Sequence, residues 1–203
     1  MVFGRKLIFR RWQRCTRFAP GILLLALLAA NARAELSLTP RREDYELEGV
    51  KMWRLVFETG TPLLARFRPP DGWDYSGSEK RLTLRPPDKA NAEASISRFE
   101  IPDFPPCNET GAKRLAEIAL QALPEGATDA KIEAEAASPL QIGGKETYLL
   151  QLSYTFYGER LARYCLYLVS DSGPMRFQLT CRQSDYDQLS KAFQKSLYTW
   201  QHL

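Results

Sequence analysis

The chain has 203 residues, 26% of them charged, with 28 Lys/Arg against 24 Asp/Glu and a single histidine, His202. Seven of the basic residues and none of the acidic ones lie in residues 1–34, so a chain without that leader carries 21 basic against 24 acidic side chains, net −3 in place of +4. A nucleic-acid binder carries a basic patch or stripe, and the remaining 169 residues, enough for one domain with its own core, show no such run.

The leader itself reads as an export signal. Arg5, Lys6, Arg10, Arg11, Arg14 and Arg17 precede the apolar run GILLLALLAA at 21–30, and Ala32-Arg33-Ala34 follows as a small-x-small cleavage site. The apolar run falls short of the ~20 residues that span a bilayer. Arg10-Arg11 suggests a twin-arginine signal, but Gln13 stands where that signal carries an apolar residue. Residues 1–34 are therefore predicted to be a signal peptide. The destination is the bacterial periplasm or the medium, and no membrane span remains after cleavage. Residues 35–48 are polar, include Pro40-Arg41-Arg42, and predict a flexible entry segment. Residues 49–203 predict a single α+β domain.

Strand signals begin at Val50. Trp53, Leu55 and Phe57 alternate, Thr59-Gly60-Thr61-Pro62 turns, and Leu63, Ala65 and Phe67 alternate again. Leu82 and Leu84 form a further alternation, and Ser95–Ile101 a third run. The tetrapeptide Arg-Pro-Pro-Asp occurs at both 68–71 and 85–88. Proline has no amide to give a central strand, so both copies read as strand terminators. A helix is predicted over Gly111–Leu123, capped by Thr110, with Leu115, Ile118 and Ala122 on one face and Pro124 as its stop. Ile132–Ala136 is a weak strand, and Gly143-Gly144 a hairpin turn. A three-stranded meander follows through Leu150–Phe156, Leu161–Val169 and Met175–Cys181. Its alternation predicts one packed face and one wet face. Ser184 is predicted to cap a closing helix, with Asp187 in capping-box position and Tyr186, Leu189, Phe193 and Leu197 on its buried stripe. The fold class is α+β: an antiparallel sheet with a C-terminal three-stranded meander, packed against two helices.

Catalytic chemistry has few candidates. His202 is next to the C-terminal residue, a poor place for a triad or a histidine metal site. Asp71 and Asp74 could serve a carboxylate-dependent hydrolase, yet a Pro-Asp-Gly turn accounts for Asp71. Asp185 and Asp187 suit a helix N-terminus. No catalytic residue, metal ligand or cofactor is assigned. Cys165 and Cys181 could close a disulfide loop of roughly 17 residues, or else be small buried residues of neighbouring strands, and Cys107 is left over. For binding, Tyr154, Tyr157, Tyr164 and Tyr167 crowd the meander with Arg160 and Arg163 between them. Phe104 sits on the proline-stiffened loop Asp103–Cys107. If the tyrosines share an exposed face, they form an aromatic, arginine-bearing interaction surface. The alternative is cross-strand aromatic pairing within the sheet.

Phe67-Arg68-Pro69-Pro70-Asp71-Gly72-Trp73 leads into strands, a helix and the terminal meander. The ending Phe177-Gln178-Leu179-Thr180-Cys181, helix, Leu197 to Trp200 closes the pattern. Between Val50 and Trp200 this arrangement resembles the PsbP-like superfamily. That superfamily includes an oxygen-evolving enhancer protein of photosystem II, a Ran-binding nuclear import factor and small exported bacterial proteins. The resemblance implies protein binding rather than catalysis and supplies no shared active site. The resulting expectation is an exported, non-catalytic binding or assembly domain with an unknown protein partner in the cell envelope. A carrier of a small apolar ligand is the alternative, and a carboxylate-dependent hydrolase a weaker one.

Overall fold

The computed structural model describes residues 36–59 and 61–202. The predicted signal peptide and its cleavage point lie outside the described residues. Among the described residues the chain forms eleven strands and two α-helices, an α+β fold as the sequence predicts. The strands make two antiparallel sheets rather than one.

The smaller sheet has the order β1-β2-β3-β11, with β1 Arg41–Leu47, β2 Val50–Thr59, β3 Thr61–Phe67 and β11 Gln201–His202. The expected flexible entry segment is therefore corrected. Its second half is β1, and ahead of it Leu36 and Leu38 are fully buried. The segment is pinned at both sheets. The Ser37 amide donates to the Glu58 carbonyl (3.0 Å), the Leu38 amide to the Glu79 carbonyl (3.0 Å), and the Arg98 guanidinium to the Leu36 carbonyl (2.5 Å). Sequence patterning missed β1 because RREDYEL has only Tyr45 and Leu47 as apolar residues, both at its end. The strand is held instead by its register on β2, with Glu43 opposite Arg54 and Asp44 opposite Trp53. The joining turn is Glu48-Gly49, both at positive φ (51° and 81°), the geometry that matches the twist of a two-residue hairpin. The C-terminal end is also tied in: His202 pairs with Ala65.

The larger sheet has the order β4-β5-β6-β10-β9-β8-β7. These are β4 Asp74–Gly77, β5 Arg81–Arg85, β6 Glu93–Arg98, β7 Thr128–Ala137, β8 Thr147–Phe156, β9 Glu159–Ser170 and β10 Gly173–Arg182. The predicted meander is β8-β9-β10. Its first turn is Tyr157-Gly158, both at positive φ (48° and 79°). Gly143 and Gly144 likewise sit at φ 57° and 72°, with the Lys145 amide donating to the Ile142 carbonyl, so that hairpin turn is as read from sequence.

Helix α1, Ala112–Gln121, follows a 3-10 turn, Glu109–Gly111, and helix α2, Tyr186–Leu197, follows another, Gln183–Asp185. Neither predicted cap is the one observed. Asn108, not Thr110, accepts the first amide through its side chain, and Asp185 occupies the α2 N-cap with no side-chain cap bond. With a 3-10 turn ahead of each, the α-helices begin one position later than read from periodicity, at Ala112 and Tyr186.

Both faces of the seven-stranded sheet are covered. On one face Phe177, Leu166, Tyr164 and Ile96 pack against Leu189, Phe193 and Leu197 of α2 and against Leu55, Phe57 and Phe67 of the smaller sheet. Trp200 wedges among them, with ring centroids 5.6 Å from Phe57, 5.8 Å from Phe67 and 5.5 Å from Phe177. On the other face Tyr148, Leu150, Leu152, Cys165 and Tyr167 pack against Leu115, Ile118 and Ala119 of α1. The expectation of one wet face is corrected, because α1 covers it. Strand β9 is accordingly buried on both sides from Leu161 to Leu168.

Candidate functional site

The tyrosine surface predicted from the meander does not form. Tyr154, Tyr164 and Tyr167 are buried, Tyr167 and Tyr154 beneath the α1 side of the sheet and Tyr164 beneath α2. Arg163 is 6% exposed and holds three groups: its Nε donates to Thr180 Oγ1 (3.1 Å), and its two amino groups donate to the Ala122 carbonyl (2.9 Å) and the Tyr154 hydroxyl (3.2 Å). Phe104 folds over the sheet edge, its ring edge-on to Phe99 at 5.2 Å and near Tyr167 at 6.2 Å. Only Tyr157, 91% exposed in its hairpin turn, and Arg160 remain outside, with Arg160 donating to Ser153 Oγ and the Asp129 carbonyl. Both faces of β9 are covered, so a strand rich in tyrosine buries its rings and becomes core.

Cys165 and Cys181 are free and do not bond. Cys165 pairs in register with Gln178 and faces α1, whereas Cys181 pairs with Ala162 and faces α2, so the sheet itself separates them. Burial pushes the thiols of Cys107 and Cys181 up to about 12, with Glu146 and Asp185 respectively adding to the shift, and burial raises Cys165 as well. Thiols held protonated in this way make poor nucleophiles.

A different surface is built around the first Arg-Pro-Pro-Asp copy. Strand β3 ends at Phe67, and Pro69-Pro70 cannot continue it. The chain turns through Asp71 and Gly72 (φ 78°), closed by the Trp73 amide donating to the Pro70 carbonyl at 3.2 Å. Trp73 is set down nearly parallel to Phe193 of α2, 6.5 Å away at an interplanar angle of 4°. Thr199, just beyond α2, clips the turn to the helix. Its hydroxyl accepts from the Arg68 amide (2.8 Å) and lies 2.6 Å from the Ser196 carbonyl, to which it donates. Asp71, the hydrolase candidate, forms an ion pair with Arg68 at 3.0 Å, and Asp74 begins β4.

Two adjoining open grooves flank this clip and share Arg68 and Thr199. One, of about 410 Å³, runs along Pro69, Pro70, Asp71 and Trp73 to Ala192, Lys195 and Ser196 of α2. The other, of about 290 Å³, is lined by Tyr45, Met52, Arg54, Arg66, Phe67, Tyr198 and Gln201. Arg54 lies over the Tyr45 ring at 4.5 Å and pairs with Glu43 at 2.5 Å. Arg66 Nε is buried without a hydrogen-bond partner, and such an orphaned donor costs on the order of 1–3 kcal/mol. Tyr198 stands 69% exposed at the rim. Four cations, Arg54, Arg66, Arg68 and Lys195, thus line the strip; Arg54 is paired with Glu43 and Arg68 with Asp71, while Arg66 and Lys195 have no ion pair among the described residues.

Sequence reasoning passed over these residues although a signal existed. Arg54 and Arg66 take the alternate positions to Leu55, Phe57, Ala65 and Phe67, and Val56 lies opposite Arg66, so both arginines share the face turned away from the core. The second Arg-Pro-Pro-Asp copy borders another groove, of about 400 Å³. There Lys89 pairs with Asp185 (2.7 Å) and Arg182 with Glu159 (2.7 Å), so both cations of that groove are already paired.

No protein-family profile and no curated protein sequence matches this chain. Solved structures do. Cyanobacterial PsbP (CyanoP) from Synechocystis sp. PCC 6803 matches at 13% identity and a TM-score of 0.50, over 82% of this chain and 94% of its own. PA94, a protein of unknown function from Pseudomonas aeruginosa, matches at 15% identity and a TM-score of 0.46, over 78% of this chain and 95% of its own. LpqN of Mycobacterium tuberculosis, involved in cell envelope biogenesis, matches at 15% identity and a TM-score of 0.42, over 91% of this chain and 99% of its own. At these identities the likeness is one of fold, and the chain has a PsbP-like fold.

Proposed function

We propose that this protein is an exported, non-catalytic binding or assembly domain of PsbP-like type. The observation that carries the reading is the twin groove around Arg68 and Thr199. Its lining combines cations, a proline-stiffened turn and aromatic rings, the residue types that recognise a partner. Its carboxylate is engaged by Arg68 rather than set against a second acid across a cleft. The basic leader, apolar run and Ala32-Arg33-Ala34 support export.

The test is recovery of the tagged protein from the cell envelope. The recovered chain should begin at Glu35 and bring with it a partner in fixed stoichiometry. A chain that still begins at Met1 in an extracytoplasmic fraction overturns cleavage. A hydrolytic activity lost in both D71A and D74A would replace the binding reading by the hydrolase one.

A further inference from the structure

We propose that the strip formed by the two adjoining grooves docks an extended acidic segment of a partner protein. The inference rests on the binding-domain reading and names its site and the chemistry of its ligand.

Charge decides the sign of the ligand. The chain without its leader is net negative, yet Arg54, Arg66, Arg68 and Lys195 converge on one strip against two carboxylates, Glu43 and Asp71, which leaves the strip positive. Arg66, half-buried, lines the second groove without an ion pair among the described residues, and Lys195 is exposed on the last turn of α2, likewise without one. A carboxylate entering the strip meets donors already in place, and charge-assisted hydrogen bonds to arginine are the stronger kind.

Shape decides between a chain and a surface. A bilayer is broad and meets protruding cations. Here Trp73, 7% exposed, forms part of the lining of the first groove, and Arg66, half-buried, part of the lining of the second. An extended polypeptide, advancing about 3.3 Å per residue, fits into both grooves across the shared Arg68. Tyr198 at the rim offers a rigid aromatic contact of the kind enriched at protein interfaces. The Thr199 clip holds the backbone of Arg68 against the end of α2, so the strip is formed before the ligand arrives.

The experiment is fluorescence anisotropy with a fluorescein-labelled decapeptide of alternating Asp and Glu. Three proteins are compared: wild type, the double variant R68E/K195E in the strip, and K113E/R114E, an equal charge reversal on exposed positions of α1. Wild type should bind saturably and more weakly as salt screens the charges. R68E/K195E should bind at least about tenfold more weakly, and K113E/R114E like wild type. Equal loss in both variants overturns the site, because it reports net charge alone. No binding by wild type overturns the acidic-peptide assignment. So does binding to phosphatidylglycerol vesicles that R68E/K195E abolishes in the absence of peptide binding. Envelope capture separates this proposal from its parent. If R68E/K195E retains the same stoichiometric partner as wild type, the strip is the wrong site and the binding-domain reading stands. If wild type retains none, both fall.

Discussion

Arg163 shows how one side chain can look like a binding residue in sequence and be a structural one in the fold. It stands on the middle strand of the meander beneath the C-terminal end of α1, where a cation satisfies an orphan helix carbonyl. Its guanidinium joins the helix to Thr180 of β10 and Tyr154 of β8, and lies over the Tyr154 ring at 5.2 Å. Truncation removes all three hydrogen bonds and leaves the buried Tyr154 hydroxyl without its arginine donor, so R163A should destabilise by about 2–4 kcal/mol. Urea unfolding checks this through a lower midpoint at unchanged slope. R163K keeps the charge but loses the planar fork and should fall between the two. A midpoint for R163A equal to wild type would mean that the helix end is satisfied some other way.

At the scale of elements, the strap of residues 36–40 differs most from its reading in sequence. Leu36 and Leu38 reach the core between the sheets, and Gly77 of β4 lies so close to Pro40 and the Leu38 carbonyl that any Cβ there would overlap them. The strap covers the end strand of the larger sheet, one of the ways proteins protect an exposed edge. Replacing Leu38 by alanine should cost about 2–4 kcal/mol through lost burial and a residual cavity, measurable as a lowered thermal midpoint. If L38A melts with wild type, the strap is not part of the cooperative unit. Two leucines separated by one serine are too short a pattern to announce a strand, and β1 after them has only Tyr45 and Leu47 as apolar residues, both at its end. The helices were legible because Leu115 and Ile118 fall on one face, as do Leu189, Phe193 and Leu197, and all five are buried as predicted. Ala122, expected beside Leu115 and Ile118, is instead the exposed C-cap of a helix that ends at Gln121. Their starts were less legible, since a 3-10 turn leaves the same side-chain spacing as a helix begun earlier.

For the whole molecule, burial of ionisable groups on both faces of one sheet sets the response to alkali. The thiols of Cys107 and Cys181 titrate near 12 in the fold against an ordinary 9.0, and burial raises Tyr148, Tyr164, Tyr167 and Tyr186 above their ordinary 10.0. As pH rises the unfolded chain loses these protons first. The stability they contribute is therefore complete below about 9 and is lost progressively toward 12. Thermal midpoints should be flat near neutrality and fall steadily above pH 9. A midpoint unchanged to pH 11 would contradict the burial of these groups.

The sequence by itself determined the α+β class, the meander, the two amphipathic helices, the glycine turn at 143–144 and the role of both Arg-Pro-Pro-Asp copies as strand ends. Each is a local matter of periodicity, or of a residue that lacks an amide or a Cβ. Only the tertiary structure decided which surface stays open. A strand's alternation says that its two faces differ, not that either is wet, and α1 settled that by burying Tyr167 and Cys165 while Cys181 went to the other side. Likewise Arg54, Arg66, Arg68 and Lys195 are distant in sequence and ordinary one by one. They become a strip only because β2 and β3 pair in register and Thr199 draws the end of α2 against the turn after Phe67. Register and packing between distant segments depend on contacts that no short stretch of sequence contains.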